Sequence, residues 1–341
     1  MGDEQALPLA LAVDLGGTQM RAGVVRGAQL LSRITLQTGD DRRPESMLPR
    51  AFAALEQALQ QAGVALEQVA GIGIGAPGPL DSRTGVVFTP PNMPGWEALP
   101  LRQIFAQRYA VPVYVENDAN AAALGEFLFG AGQGCLHMVY LTISTGIGGG
   151  VIVDGKLLQG ANGAAAELGH MTVDWHGERC SCGNIGCLEY ISSGTGIARR
   201  ASQLIQSGQG DELLAFARQL ARQGGAEERH GGEAQLQVTA RMVAQAAAAG
   251  VPVAQQIIER AAEALGVGLV NIIHIFNPQK IILGGGVTQM GPLLMEPVQR
   301  VVRERAMQVP REAVRIEFAQ SSHNVGLVGA GALLYYHTIG S

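Results

Sequence analysis

The chain has 341 residues, longer than one ordinary domain of roughly 100 to 200 residues, so two lobes are expected. Hydrophobic residues make up 47% and charged residues 16%, with 47 glycines, which excludes a disordered or fibrous chain and suits an α/β protein with many tight turns. The net charge of −5 and a complement of only two lysines, Lys156 and Lys280, argue against a nucleic-acid groove. Phosphate chemistry then falls to arginine, metal ions or backbone amides.

The opening "MGDEQALPLALAVDLGG" carries acids where a secretory signal needs positive charge, and its apolar run stops at Asp14. Ala6 stands where myristoylation requires Ser or Thr. "LGVGLVNIIHIF" is broken by Asn271 and His274 and is too short to span a bilayer. A soluble, cytoplasmic protein with no membrane partner is expected. Clustered cysteines beside one isolated Cys135 fit a reducing compartment better than a disulfide scaffold.

"LALAVDLGGTQMRAGVVRGAQLLSRITLQT" predicts three strands in an antiparallel meander, turning at Gly-Gly and at Gly27. A helix follows over "PESMLPRAFAALEQALQQAG", then the strand "VAGIGIG" and the loop "APGPLDSRTG". Next come a helix near "LRQIFAQRYA", the strand "VPVYVEND" and a helix from about Ala119 to Phe129. "HMVYLTISTGIGGGVIVDGKLLQG" again reads strand, glycine turn, strand, which suggests a duplicated core. Residues from about Ala201 to Glu263 read as mostly helical, with an exposed loop around "QGGAEERHGGEAQ". "KIILGGGV" and "VRIEFAQ" are strands, and "NVGLVGAGALLYYHTI" is a small-residue helix suited to close packing.

Two glycine patterns imitate nucleotide signatures. "GVIVDGKL" ends in Leu157 where a P-loop needs Ser or Thr, and "GIGAPG" is followed by proline and a loop where a dinucleotide fold needs a helix. "DLGGT" (Asp14, Gly16, Gly17, Thr18) and "TISTGIGGG" (with Ser144, Thr145, Gly146 and Gly148) remain. Such turns let backbone N–H groups approach phosphate oxygens, and Asp14 at a strand end is placed to hold Mg2+ through water. Two ordinary hairpins would look the same. "ENDANAAALGE" puts Asn117 and Asp118 just before a helix, where first-turn N–H groups stabilise a carboxylate as the anion. A carboxylate so capped is also placed as a general base.

Together "DLGGT", "GIGAPGPLD", "ENDAN", "TISTGIGGG", "ELGH", "CSCGNIGCLE" and "ILGGGV" resemble, in order, the ROK family of sugar kinases and repressors, its glucokinases above all. The resemblance implies an actin-like, ribonuclease H-like α/β fold of two lobes with mixed β-sheets. The smaller lobe would take residues 1–117 with about 323–341, and the larger 118–322, carrying a zinc site and the helical segment of about 201–263. It implies ATP-dependent phosphorylation of a hexose, glucose first, with Asp118 as the catalytic base. Asn117, Glu167, His170 and Glu189 would bind sugar hydroxyls, and Gly78 would close the pocket. "DLGGT" and "STGIGG" would hold the phosphates of Mg-ATP, and Gly284, Gly285 and Gly286 would flank the adenosine. A homodimer or homotetramer is expected. Arg21 departs from many relatives, which carry lysine earlier in this turn. About a dozen residues precede "DLGGT", too few for the repressor branch's helix-turn-helix, so no nucleic-acid partner is expected.

Cys180, Cys182 and Cys187 give C-x-C-x4-C, with His170 ten residues upstream. Three thiolates and one imidazole make a four-coordinate structural zinc site, and the resemblance implies the same set. His176 as the fourth ligand and a redox pair of cysteines are the alternatives. Beside an enzyme stand a non-catalytic sugar sensor and a zinc-ribbon interaction module; among sugars, mannose, fructose, N-acetylmannosamine and N-acetylglucosamine remain open.

Overall fold

A computed structural model describes residues 7–90, 93–223, 236–320 and 324–339. The loop expected at "QGGAEERHGGEAQ" lies, from residue 224 to 235, outside the described residues. The first half of the chain forms β1 (Leu9–Leu15), β2 (Gln19–Arg26), β3 (Gln29–Gln37), α1 (Pro44–Ala62), β4 (Val69–Ala76), the short β5 (Leu80–Asp81) and β6 (Val86–Val87), α2 (Leu101–Tyr109), β7 (Val113–Asn117) and α3 (Asp118–Phe129). The meander is continued as antiparallel pairs β1–β2 and β2–β3, while β4 and β7 add in parallel, giving the order β3-β2-β1-β4-β7.

The second half forms β8 (Met138–Ile143), β9 (Ile147–Val153), β10 (Lys156–Leu157), α4 (Leu188–Ser192), α5 (Gly194–Gln206), α6 (Asp211–Gln223), α7 (Ala240–Ala248) and α8 (Pro252–Phe276). β11 (Lys280–Gly284), α9 (Pro292–Arg305), α10 (Gln308–Ala313), β12 (Arg315–Phe318) and α11 (Val325–Ile339) complete it. Its sheet runs β10-β9-β8-β11-β12, with β8–β9 and β9–β10 antiparallel and β8–β11 and β11–β12 parallel. Strand order and sense repeat between the halves, so the duplication is legible in topology where residue similarity is weak.

Residue alternation explains the packing. β1 is buried at all seven positions because both faces of its sheet are covered. Leu9, Leu11, Val13 and Leu15 share a core with Met47, Ala51, Ala54, Leu55 and Ala58 of α1, whereas Ala10 and Ala12 meet Leu327, Ala330 and Leu334 of α11. α1 starts with Pro44 at its first positions and ends at Gly63 in the left-handed conformation, φ 64°. In "GIGIG", Gly73 approaches α11 so closely that a Cβ would lie 1.7 Å from the Ala330 carbonyl oxygen, whereas Gly75 meets Ala121 of α3. That close approach accounts for Gly73, the first glycine of the pattern that imitates a dinucleotide motif. α11 also crosses α3 tightly, with Gly125 and Gly329 back to back, as its small-residue sequence predicts. No helix among the described residues is long and apolar enough to cross a membrane.

Candidate active site

The glycine and acidic motifs gather because they occupy equivalent places in the two sheets. Asp14 closes β1, Gly75 and Ala76 close β4, and Asn117 closes β7, all at the carboxyl ends of parallel strands. Ile143 and Gly284 end β8 and β11 in the same way. Carboxyl ends of parallel strands are where open α/β sheets take their ligands.

A cleft of about 440 Å3 opens there, lined by Gly78, Asn117, Asp118, Asn120, Gly148 and Glu167, with Gly163 to Ala166 along one lip. His170 and Glu189 do not line it.

The structure corrects the role of Asp118 in its helix. The N-cap is Asn117, whose Oδ1 accepts the N–H groups of Ala119 at 2.9 Å and Asn120 at 3.3 Å. Asp118 is the first helical residue and accepts the Ala119 N–H, at 2.8 Å. Nor is its anion favoured: its pKa is pushed up to about 6, first by loss of hydration, then by the negative charge of Asp14, with Glu167 adding to it. The helix N-terminus opposes this shift without cancelling it. Asp118 is itself exposed and lines the cleft, so the loss of hydration comes from the protein packed around its carboxyl and a bound ligand would complete it.

Asp14 is buried, and Arg21 donates to its Oδ2 at 2.7 Å. Burial still raises the Asp14 carboxyl above its ordinary range, with Arg21 pulling it back. Thr38, missed in the sequence, clamps the "DLGGT" turn: its N–H donates to the Thr18 carbonyl at 2.9 Å and its hydroxyl to the Gly16 carbonyl at 2.7 Å. Gly17 and Thr18 are exposed, with the turn's free edge toward solvent.

In the second turn Ser144 and Thr145 are exposed, and the Ser144 N–H closes onto the Gly146 carbonyl at 2.8 Å. Gly148 lies in β9, where a Cβ would stand 2.8 Å from that of Ala119, so it serves packing against α3 as well as lining the cleft. Gly285 requires glycine outright: its φ is 90° and a Cβ would meet the Ile143 carbonyl at 2.4 Å. Gly284 packs on the Tyr140 hydroxyl, and Gly286 begins a short 3-10 turn with open space beside it.

Beneath the cleft lies a polar network that the motifs contained but their chemistry did not announce. Glu116, 2% exposed, accepts from the Asn117 N–H at 2.9 Å, the Asn120 side chain at 3.1 Å and Gln159 Nε2 at 2.9 Å. Gln159 also donates to Ser82 at 2.9 Å. The network joins the "ENDAN" segment to both lips of the cleft, and three donors compensate one buried carboxylate.

His170, Cys180, Cys182 and Cys187 bring their ligand atoms within 4.8 Å of one another. Cys182 and Cys187 sulfurs are 3.6 Å apart, and Cys180 Sγ is 3.9 Å from His170 Nδ1. Tetrahedral Zn2+ sets sulfur pairs about 3.8 Å apart and sulfur to nitrogen about 3.5 Å, so the set fits. Burial opposes ionisation of Cys180, but hydrogen bonds from the Cys182 N–H and the Cys182 and Cys187 thiols outweigh it and draw the group down to about 7. Burial and the same neighbours push Cys187 up to about 12. A cation held by the three sulfurs would favour their thiolate forms, against the burial and mutual repulsion that keep Cys187 protonated. His176 is exposed, packs edge-on against Trp175 and is not in the cluster.

The profile of the ROK family matches residues 10–336. The chain belongs to the ROK family. Among curated ROK proteins, the glucokinase of Thermotoga maritima is 34% identical over 325 residues, 95% of this chain and 96% of that one. The xylose repressor of Caldicellulosiruptor bescii is 33% identical over 299 residues, 88% of this chain and 70% of the repressor. The crystal structure of a ROK glucokinase from Streptomyces griseus, solved with glucose and AMPPNP, superposes with a TM-score of 0.80 at 35% identity, covering 95% of this chain and 98% of that one. The ROK fold here is the actin-like two-lobe kinase fold with mixed sheets.

Proposed function

We propose that the protein is an ATP-dependent hexose kinase, with glucose as its first substrate, and that Asp118 is the general base. The observation that carries this reading is a carboxylate in the cleft, with a pKa of about 6, between two glycine turns at strand ends. A base near the working pH is ionised when the sugar arrives and still basic enough to accept a proton. Asp118 takes the proton of the sugar's primary hydroxyl as that oxygen attacks the γ-phosphorus of ATP, and ADP leaves.

Asn117 and Glu167, which line the cleft, orient the ring hydroxyls, with Gly78 at the rim; His170 and Glu189, outside that lining, complete the sugar-binding set in this reading. Fixed polar partners discriminate epimers because a misplaced hydroxyl leaves them unpaired. Asp14 with Gly16 to Thr18, and Ser144 to Gly148, hold phosphate oxygens, and Gly284 to Gly286 flank the adenosine. Asp14 is the buried carboxylate that would hold the Mg2+ carried with ATP, which would supply neutralisation of phosphate charge. His170, Cys180, Cys182 and Cys187 would hold a structural Zn2+ that braces the sugar-binding segment.

Substitution of Asp118 by Asn tests the assignment. Sugar affinity should be retained while turnover falls by about 10²- to 10⁴-fold or more; undiminished turnover would remove Asp118 as the base. The repressor relatives keep a second reading in view, a sugar sensor without catalysis. Tight hexose binding with no ADP release would favour it.

A further inference from the structure

Glu189 is expected at the sugar, yet its carboxylate is engaged by the second glycine turn. The Ile147 N–H donates to Glu189 Oε2 at 2.7 Å, and Gly146 lies so close that a Cβ there would stand 2.5 Å from the same oxygen. We propose that Glu189 is a positioning residue for this turn, holding the conformation in which Ser144 to Gly148 meet nucleotide phosphate. The proposal rests on the reading of that turn as a phosphate site.

Two further contacts make Glu189 part of a backing wall. The Gly194 N–H donates to the Ser144 carbonyl at 2.7 Å and the Thr195 N–H to the Thr145 carbonyl at 3.3 Å, while the Ser144 N–H to Gly146 bond closes the turn itself. The partners these bonds bring to the turn, Glu189, Gly194 and Thr195, come from one segment shortly after Cys187. That segment is itself held: Leu188 is fully buried and its N–H donates to the Met171 carbonyl at 3.0 Å, and the Ser192 hydroxyl donates to the Ala261 carbonyl of α8 at 2.7 Å.

A turn rich in glycine samples many backbone states when free, and each must be given up when phosphate binds. A charge-assisted hydrogen bond from a rigid element removes that cost in advance. Glu189 therefore acts on the nucleotide through Ile147, whatever its second oxygen does at the sugar.

The test compares Glu189→Ala with Glu189→Gln by amide hydrogen exchange at Ile147 and by titration with a fluorescent ADP analogue in Mg2+. Glu189→Ala should speed Ile147 exchange and raise the nucleotide Kd about tenfold, the effect of losing one charged hydrogen bond. Glu189→Gln keeps an acceptor oxygen and should restore both to within about twofold, while the KM for hexose remains raised. Unchanged exchange and nucleotide Kd in a cooperatively melting Glu189→Ala protein would overturn the proposal. So would a Glu189→Gln protein as impaired toward nucleotide as Glu189→Ala. If Ile147 exchange responds as expected but the unsubstituted protein binds no nucleotide, the positioning by Glu189 stands and the phosphate reading of the turn falls.

Discussion

At the scale of single residues, Asp118 ties chemistry to stability. Its folded pKa of about 6 exceeds the ordinary 3.8, so the folded state prefers the protonated acid. Between these values the folded chain binds more protons than the unfolded one, and stability falls as pH rises. Below pH 3.8 the penalty is absent, and above about 6 it is complete. The Asp118→Asn protein should therefore melt at a higher temperature than the parent at pH 7.5, with the gain shrinking toward pH 4; scanning calorimetry across that range checks it. The catalytic consequence has the opposite sense. Since the base must be ionised, kcat/KM for hexose should decline as pH drops through about 6, and a flat profile down to pH 5 would assign the limb elsewhere. The motif "ENDAN" made Asp118 visible in the sequence, but its pKa was not: the charge of Asp14 comes from a strand one hundred residues earlier, and only the fold brings the two acids together.

At the scale of elements, alternation and glycine spacing carried most of the secondary structure, including the meander, α1 and the small-residue α11. Two features were not legible for physical reasons. Thr38 lies past the end of β3, and nothing local shows that it will bond back to the "DLGGT" turn. Gln159 meets Glu116 across 43 positions of sequence, a pairing that depends on how the two cleft lips fold. The helix crossing at Gly125 and Gly329 is the element contact most sensitive to volume, because both sides are backbone and neither can rotate away. Gly125→Leu should cost about 1–3 kcal/mol or more, read from urea midpoints, and should lower activity because α3 carries Asp118 at its first turn. The cysteine cluster is the other such element. Metal analysis should find about one zinc per chain, and its removal by a chelator should lower the melting temperature; a metal-free chain with unchanged melting would discard the site.

At the scale of the whole molecule, two sheets of one topology bring five strand ends together, and α11 returns from the end of the chain to pack on β1, β4 and α3. The proposed site thus draws on motifs spread between Asp14 and Gly286, none of which is informative alone. A ligand bridging those strand ends should stabilise the whole chain by mass action, about 2.7 kcal/mol at one hundred times its Kd. Thermal shifts with glucose, mannose, fructose and the two N-acetylated hexosamines should therefore rank the sugars. Phosphoryl transfer from ATP to hexose is read out by an ADP-release assay over that sugar panel. Sustained ADP release is expected with at least one hexose, glucose foremost, in the parent protein, and its near abolition in Asp118→Asn. Hexose binding with no ADP release from the parent on any sugar would contradict it.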